Sequence, residues 1–335
     1  MLIPTAELHI HIEGTLEPEM LVQLARRNQV PLPTYDVEEL RARYRFGDLQ
    51  AFLDLYYANL QVLRTAEDFH DLAAAYLHRA ASRGVRRAEI FFDPQAHVNH
   101  GVPLEAVIEG LTAGLAEPTD QPVSTDLILC FLRDLGPEAA GEMFRAALPF
   151  REHFIGIGLD SAEVGHPPAM FREVYAAAAA EGLHRVAHAG EEAGPDYVWE
   201  ALDVLGVARV DHGIRAMEDA ALVDRLRADR IPLTVCPLSN VSLRTVDTMA
   251  DHVLPAMLDE NLVVTINSDD PAYFGGYVDD NYAAVKAQLG LSDTHLRTLA
   301  LNSFDACFAP EADRERWKSE VRATFAGLGP GSSLT

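Results

Sequence analysis

Eight short apolar segments, rich in β-branched residues, recur along this chain with stretches of helical periodicity between them. They span residues 6–11, 88–93, 125–132, 154–160, 183–189, 209–212, 232–237 and 263–269. Segments this apolar fit strands buried on both faces, and strands that alternate with helices pair in parallel. Eight such units predict an α/β fold, a (β/α)8 TIM-type barrel. An open doubly wound sheet is the competing arrangement, but no glycine-rich phosphate loop follows the first segment, which weakens its dinucleotide-binding form. Helical patterns at 103–116, 137–148, 169–181, 196–205 and 219–228 fill the connections, several opening on Pro or Asp and closing on Gly. The stretch after the first strand is long enough for about three extra helices, including 48–63 and 67–83, and further helix is expected at the C-terminus. Residues 1–325 read as one domain, and the Gly/Ser-rich tail, 326–335, as flexible.

The bulk charge narrows the partners. Asp and Glu number 51 against 27 Lys and Arg, a net charge of −24. A surface that acidic repels phosphate backbones and anionic lipid, so neither nucleic acid nor membrane is expected as a partner, and a small neutral or cationic ligand fits better. The same acidity also serves solubility alone. Cys130, Cys236 and Cys307 are far apart and form no CxxC pair. They indicate neither a disulfide framework nor a cysteine zinc site, so a reducing cytoplasm is the expected location. No basic-then-apolar leader opens the chain, and no apolar run approaches the ~18 residues of a membrane helix. A homo-oligomer is compatible with a barrel's outer helices, but no interface is marked.

The polar residues at the strand ends carry the chemistry. The first strand ends in His9-Ile10-His11, and alternation places both imidazoles on one face. The fifth ends in His188-Ala189-Gly190-Glu191, the sixth in Asp211-His212-Gly213 and the eighth in Ser268-Asp269-Asp270-Pro271. The C-terminal ends of barrel strands are where such enzymes gather catalytic groups, and the first and eighth strands are neighbours in a closed barrel. Imidazoles and a carboxylate with one open position suit catalytic zinc, and ferrous iron accepts the same donors. A bridging carboxylated lysine would accompany a two-ion site. The only lysines, Lys286 and Lys318, lie beyond the last strand, so one ion per chain is expected. His9, His11, His188 and Asp269 are then its ligands, with water in the remaining position. The H-x-E with P-C-x-x-C pattern of the cytidine-type deaminases is absent.

Taken together, His9-x-His11-x-Glu13-Gly14, His188-Ala-Gly-Glu191, Asp211-His212-Gly213 and Ser268-Asp269-Asp270-Pro271 resemble the adenosine/adenine deaminase family of metal-dependent hydrolases, in the amidohydrolase superfamily. The likeness runs from Ala6 to about Phe308 in the family's order and spacing. The segments at 13–18, 158–163, 234–240 and 270–277 are more similar to its adenine deaminase branch. The resemblance implies the same four zinc ligands. It implies that His212 accepts the proton of the attacking water, that Glu191 as a neutral acid protonates N1 of the purine, and that Asp270 meets N7. The implied reaction is hydrolysis of adenine to hypoxanthine and ammonia in purine salvage. A deaminase for adenosine or N6-substituted adenines is the alternative, and a non-catalytic purine-binding barrel a more distant one.

Two further carboxylates bear on the choice of base over nucleoside. Glu163, at the end of the fourth strand, is expected to accept the N9–H that only a free base carries. Glu13 stands where nucleoside deaminases of the family carry Asp, and its extra methylene would shorten the sugar space. Asp211 fits either an orienting partner of a ligand or an ordinary strand-end carboxylate. Ser239 and Asn240 fit a helix cap or a substrate contact, and the 271–277 loop fits a turn or a cover over the base. The remaining histidines, His70, His78, His97, His100, His153, His166, His184, His252 and His295, are expected on surfaces and helices.

Overall fold

The computed structural model describes residues 2–326. Eight strands, all paired in parallel, follow one another around a nearly closed barrel in chain order. They are β1 Thr5–His11, β2 Val85–Phe92, β3 Ser124–Leu132, β4 Phe154–Asp160, β5 His184–Ala189, β6 Arg209–His212, β7 Pro232–Val235 and β8 Val263–Ile266. β7 stops short of the expected 237 because Pro237 opens a helix, and β8 stops short of 269 because Asp269 turns into left-handed backbone at φ 64°. The tail expected to be flexible is helical at Ala326 and otherwise lies outside the described residues.

Closure falls on Asp269. Its carbonyl accepts from His11 N–H and its own N–H donates to the His9 carbonyl, both at 3.1 Å. One residue earlier in the ladder a side chain substitutes for backbone: Leu8 N–H donates to Asn267 Oδ1 at 2.9 Å.

Four helices fill the insertion after β1: α1 Pro18–Arg27, α2 Val37–Arg41, α3 Leu49–Leu60 and α4 Ala66–Ser82. Asp48 caps α3 through Ala51 N–H, and Thr65 with Asp68 forms a capping box on α4, which satisfies amides that the first turn leaves free. α3 lies across the barrel mouth. Phe52 packs on Phe274 with ring centres 4.8 Å apart, and Tyr56 packs on Tyr273 at 5.5 Å. After β2 come α5 Pro94–Val98 and α6 Leu104–Leu115, then α7 Gly136–Ala147, α8 Arg172–Ala180, α9 Pro195–Glu200 and α10 Ala220–Asp229 after β3 to β6. α11 Pro237–Ser242 and α12 Leu254–Asp259 follow β7, and α13 Pro271–Phe274, α14 Val278–Leu289, α15 Asp293–Ala306 and α16 Glu311–Ala326 follow β8.

The opposite end of the barrel is plugged by a buried ion network. Arg209 Nη1 donates to Glu89 Oε2 at 2.7 Å, Arg87 Nη2 to Glu89 Oε1 at 3.0 Å, and Phe308 N–H to the same oxygen at 2.6 Å. Burial works against charge on Glu89, but the two guanidiniums outweigh it and hold its carboxyl below the usual range. Removing one member leaves the others buried without compensation. We therefore expect Arg209→Met to cost about 3–5 kcal/mol, read from the shift of the denaturant unfolding midpoint; an unchanged midpoint would show that the plug does not hold the barrel together.

Candidate active site

Alternation along β1 turns His9 and His11 to the barrel axis, where His188 at the end of β5 and Asp269 after β8 meet them. One donor atom from each of the four residues lies within 4.8 Å of the others, and all four residues are buried. His9 Nε2 is 3.0 Å and His11 Nε2 3.4 Å from Asp269 Oδ1, while His11 Nε2 and His188 Nε2 face each other at 3.2 Å.

The hydrogen bonds behind these groups decide what the cluster suits. The Thr234 hydroxyl donates to Asp211 Oδ1 at 2.8 Å, so it accepts from His9 Nδ1 at 3.0 Å. Neutral His9 then presents a lone pair to a carboxylate oxygen, and two imidazole nitrogens confront each other nearby. Only positive charge relieves that arrangement. Burial opposes charge on His9, yet the Asp269 carboxylate and its hydrogen bond override it and raise the imidazole's pKa. Asp269 itself is buried but driven well below the usual carboxylate range, chiefly by His9. Burial lowers His11 to about 4 and puts His188 well below its ordinary value, so both are neutral lone-pair donors. These two imidazoles, the His9 Nε2 that faces Asp269, and one ionised carboxylate are a donor set that fits a divalent cation, whose charge would take the place of a proton on His9. Asp211 stands behind the cluster, its carboxylate 4.0 Å from His9 Nδ1 and 3.9 Å from His188 Nδ1, and it meets His9 through the Thr234 hydroxyl.

Beside the cluster lies a cavity lined by Asp93, Asp160, Glu191, His212, Asp269 and Asp270, covered by Phe52, Leu53, Tyr56 and Tyr57 of α3. The cover is thus α3, while Tyr273 and Phe274 of the 271–277 segment brace it from behind. Glu191 is buried and its pKa lies well above the usual range, because of burial first and then the Asp269 and Glu163 charges. Asp270 is raised likewise by burial and by Asp269. Gly14 lets Asp270 take this place, since a Cβ at Gly14 would come 2.6 Å from the Asp270 Cα.

His212 faces the cavity through Nε2, 3.5 Å from Glu191 Oε2 and 3.7 Å from Asp269 Oδ2, and its backbone is left-handed at φ 60°. A relay sets its tautomer. Leu254 N–H donates to His252 Nδ1, so His252 Nε2–H donates to Asn240 Oδ1 at 3.2 Å, and the Asn240 amide N–H is left for His212 Nδ1 at 3.4 Å. Neutral His212 therefore carries its hydrogen on Nε2, and burial pushes its pKa down to about 3. In the resting site that tautomer turns a donor toward the cavity.

Other expectations change too. Glu163 does not line the cavity: Oε1 accepts from Gly190 N–H at 2.7 Å, and Oε2 from Glu191, Glu192 and Ala193 N–H at 3.2, 2.7 and 2.8 Å. Both oxygens hold the turn after β5, so Glu163 fixes the backbone that carries Glu191. Glu13 Oε1 accepts from Asp93 N–H and His97 Nε2, both at 3.0 Å, while its buried Oε2 has no hydrogen-bond partner. His97 lies on a helix as expected, though buried at 2% exposure beside Glu13, whereas His252 is on neither a surface nor a helix and is 4% exposed beside Asn240. Asn240 and Ser239 sit inside α11, so neither caps it. Asp93 and Asp160 escaped notice in the sequence because an apolar strand ending in a lone Asp carries no motif.

A parallel (β/α)8 barrel with a three-His, one-Asp cluster and a neutral-acid cavity at its C-terminal mouth defines the class: a metal-dependent barrel hydrolase. The sequence model of the adenosine deaminase family matches residues 4–324. An adenine deaminase of Streptomyces coelicolor is 62% identical over 326 residues, covering 96% of this chain and 96% of that protein. The crystal structure of an adenine deaminase from Arthrobacter aurescens, 54% identical, superposes with a TM-score of 0.95 over 97% of this chain and 99% of its own. An amidohydrolase structure from Burkholderia ambifaria with bound zinc, 27% identical, reaches 0.88 over 97% of this chain and 91% of its own. The chain belongs to the adenosine deaminase family.

Four amides converging on one carboxylate make Glu163 a positioning residue for Glu191. Glu163→Ala is expected to lose about 2–3 kcal/mol of stability and to lower kcat at least ~10-fold with KM nearly unchanged, while Glu163→Gln recovers part of the loss. Steady-state kinetics alongside thermal melts would reveal the opposite if KM alone moved.

Proposed function

We propose that this chain hydrolyses adenine to hypoxanthine and ammonia, with one zinc ion held by His9, His11, His188 and Asp269. The observation that carries the reading is the set of buried polar groups around the cavity that no backbone amide or basic side chain satisfies: Glu191 Oε1, Asp270 Oδ1, Tyr56 Oη and Asp93 Oδ1. Such a wall complements a small flat heterocycle with polar atoms on every edge. The adenine-specific relatives and the zinc-bound one support the choice of substrate and metal. When bound, zinc polarises a water so that it can attack near neutral pH.

The chain's own residues do the rest. Glu191, kept neutral by burial, donates its proton to N1 as electron density moves there on attack at C6. The carboxylate it becomes lies 3.5 Å from His212 Nε2, placed to receive a proton released by the water. His212, hydrogen-bearing at Nε2, holds the attacking oxygen by donation, and Asp270 meets N7. Of the water's two hydrogens, one replaces the Glu191 proton given to N1 and the other leaves with ammonia. The substrate is a small purine base acted on by a single catalytic unit of residues 1–325, in a reducing cytoplasm. All three cysteines are buried and unpaired, and no helix among the described residues is long and apolar enough to cross a membrane.

Ultraviolet assay of metal-replete protein against adenine, adenosine and N6-methyladenine tests the substrate. Adenine is expected to give the highest kcat/KM, and a clear preference for adenosine rejects the reading. Two variants separate the roles. Glu191→Gln is expected to keep its metal and lose ~10²–10⁴ in kcat, whereas His11→Ala is expected to lose metal by elemental analysis. Near-normal turnover in the first, or full metal content in the second, would remove the residue from its role.

A further inference from the structure

Glu163, the carboxylate expected to recognise the free base, holds the turn after β5 and is not among the residues lining the cavity, which leaves open what rejects a nucleoside. The barrel's strand order supplies the answer. Glu191, His212 and Asp269–Asp270 enter the cavity from β5, β6 and the segment after β8. With C6 at the four-donor cluster, N1 toward Glu191 and N7 toward Asp270, the remaining N3–N9 edge points to the far wall. β2 lies four strands from β6, directly across, and the far wall is built by Asp93 at the end of β2 with Asp160 and Ser161 at the end of β4.

Asp93 and Asp160 are each 2% exposed. Asp160 Oδ2 sits 3.6 Å from His11 Nδ1, so that carboxyl is drawn behind the His11 ring. Asp93 is held by its backbone: its N–H donates to Glu13 Oε1 at 3.0 Å, and His97 braces the same Glu13 oxygen. Its Oδ1 is buried, belongs to a residue that lines the cavity and accepts from no backbone amide or basic side chain, with the Asp160 carboxyl as its neighbour. A buried acceptor without a partner costs free energy unless a ligand supplies the donor.

We propose that Asp93 is the specificity-determining residue of the cavity, accepting the N9–H of the free base and occupying space that a sugar on N9 would need. This rests on the purine deaminase reading above. A carboxyl oxygen accepts such a hydrogen whether or not the group carries a proton of its own. A base substituted at N9 brings no donor, leaves the oxygen unpaired and meets the braced β2 terminus. Sites built around one buried hydrogen bond reject analogues that lack it far more strongly than apolar pockets reject an added methyl group.

The test compares adenine with 9-methyladenine on metal-loaded wild type, Asp93→Ala and Asp93→Asn, with zinc content and thermal melts recorded for each. Wild type is expected to favour adenine by at least ~10³-fold in kcat/KM. Asp93→Ala is expected to lose about 10²-fold on adenine, mostly through KM, with 9-methyladenine unchanged or improved, so that the ratio collapses. Asp93→Asn, equal in size and still offering an oxygen, falls between the two. An unchanged ratio in either folded, metal-loaded variant overturns the proposal. So does a second metal ion per chain that disappears in Asp93→Ala, since His11, Asp93 and Asp160 also bring donor atoms within 4.8 Å of one another. Wild type inactive on adenine would instead overturn the reading of the reaction on which this inference rests.

Discussion

Two backbone hydrogen bonds at Asp269, one accepted from His11 and one donated to His9, join the end of the chain's eighth strand segment to its first. The same residue then sends its carboxylate to within 3.0 Å of His9 Nε2. Closing the barrel and assembling the metal-binding cluster are therefore one event. The left-handed backbone at Asp269 is what allows both, and such a conformation in a residue with a side chain costs on the order of 1–3 kcal/mol. His212 adopts the same region at the end of β6. Strain at strand ends is concentrated where side chains must aim into the cavity rather than continue the pleat.

Around that junction the protein sorts like groups by their surroundings. Five carboxyl groups, Asp93, Asp160, Glu191, Asp269 and Asp270, line one small cavity in a chain of strong negative charge. Asp269, against His9, stays ionised; Glu191 and Asp270, buried beside it, are pushed toward the neutral acid. One negative group among neutral ones is what a site needs if it is to hold a cation and still donate a proton to a ring nitrogen. The supporting contacts are as specific as the site itself. Glu163 gathers four amides to place Glu191, and the Leu254–His252–Asn240 relay dictates which nitrogen of His212 bears hydrogen.

Legibility from sequence followed distance along the chain. The four metal-binding candidates, Glu191, His212 and Asp270 stand in short strand-end motifs, and a strand's alternation is enough to predict which way they point. For Glu163 the sequence shows a carboxylate just past a strand end, but not the backbone amides of residues 190–193 that it accepts from, because backbone amides carry no letter of their own. The burial of His97 and His252 was hidden for a related reason. Their importance comes from Glu13 and Asn240, brought beside them only by the fold.

What the sequence determined unaided was the alternation of eight buried strands with helices, hence the barrel, and the periodic placement of histidines and carboxylates at its mouth. These are local facts, set by side-chain period and by which residues punctuate the chain. Tertiary structure alone decided which carboxylates are spent on the protein's own amides and which remain free to meet a ligand. It put α3 over the cavity and Asp93 across the barrel from His212. Hydrogen-bond satisfaction and burial depend on neighbours far away in the chain, so no reading of one segment at a time could supply them.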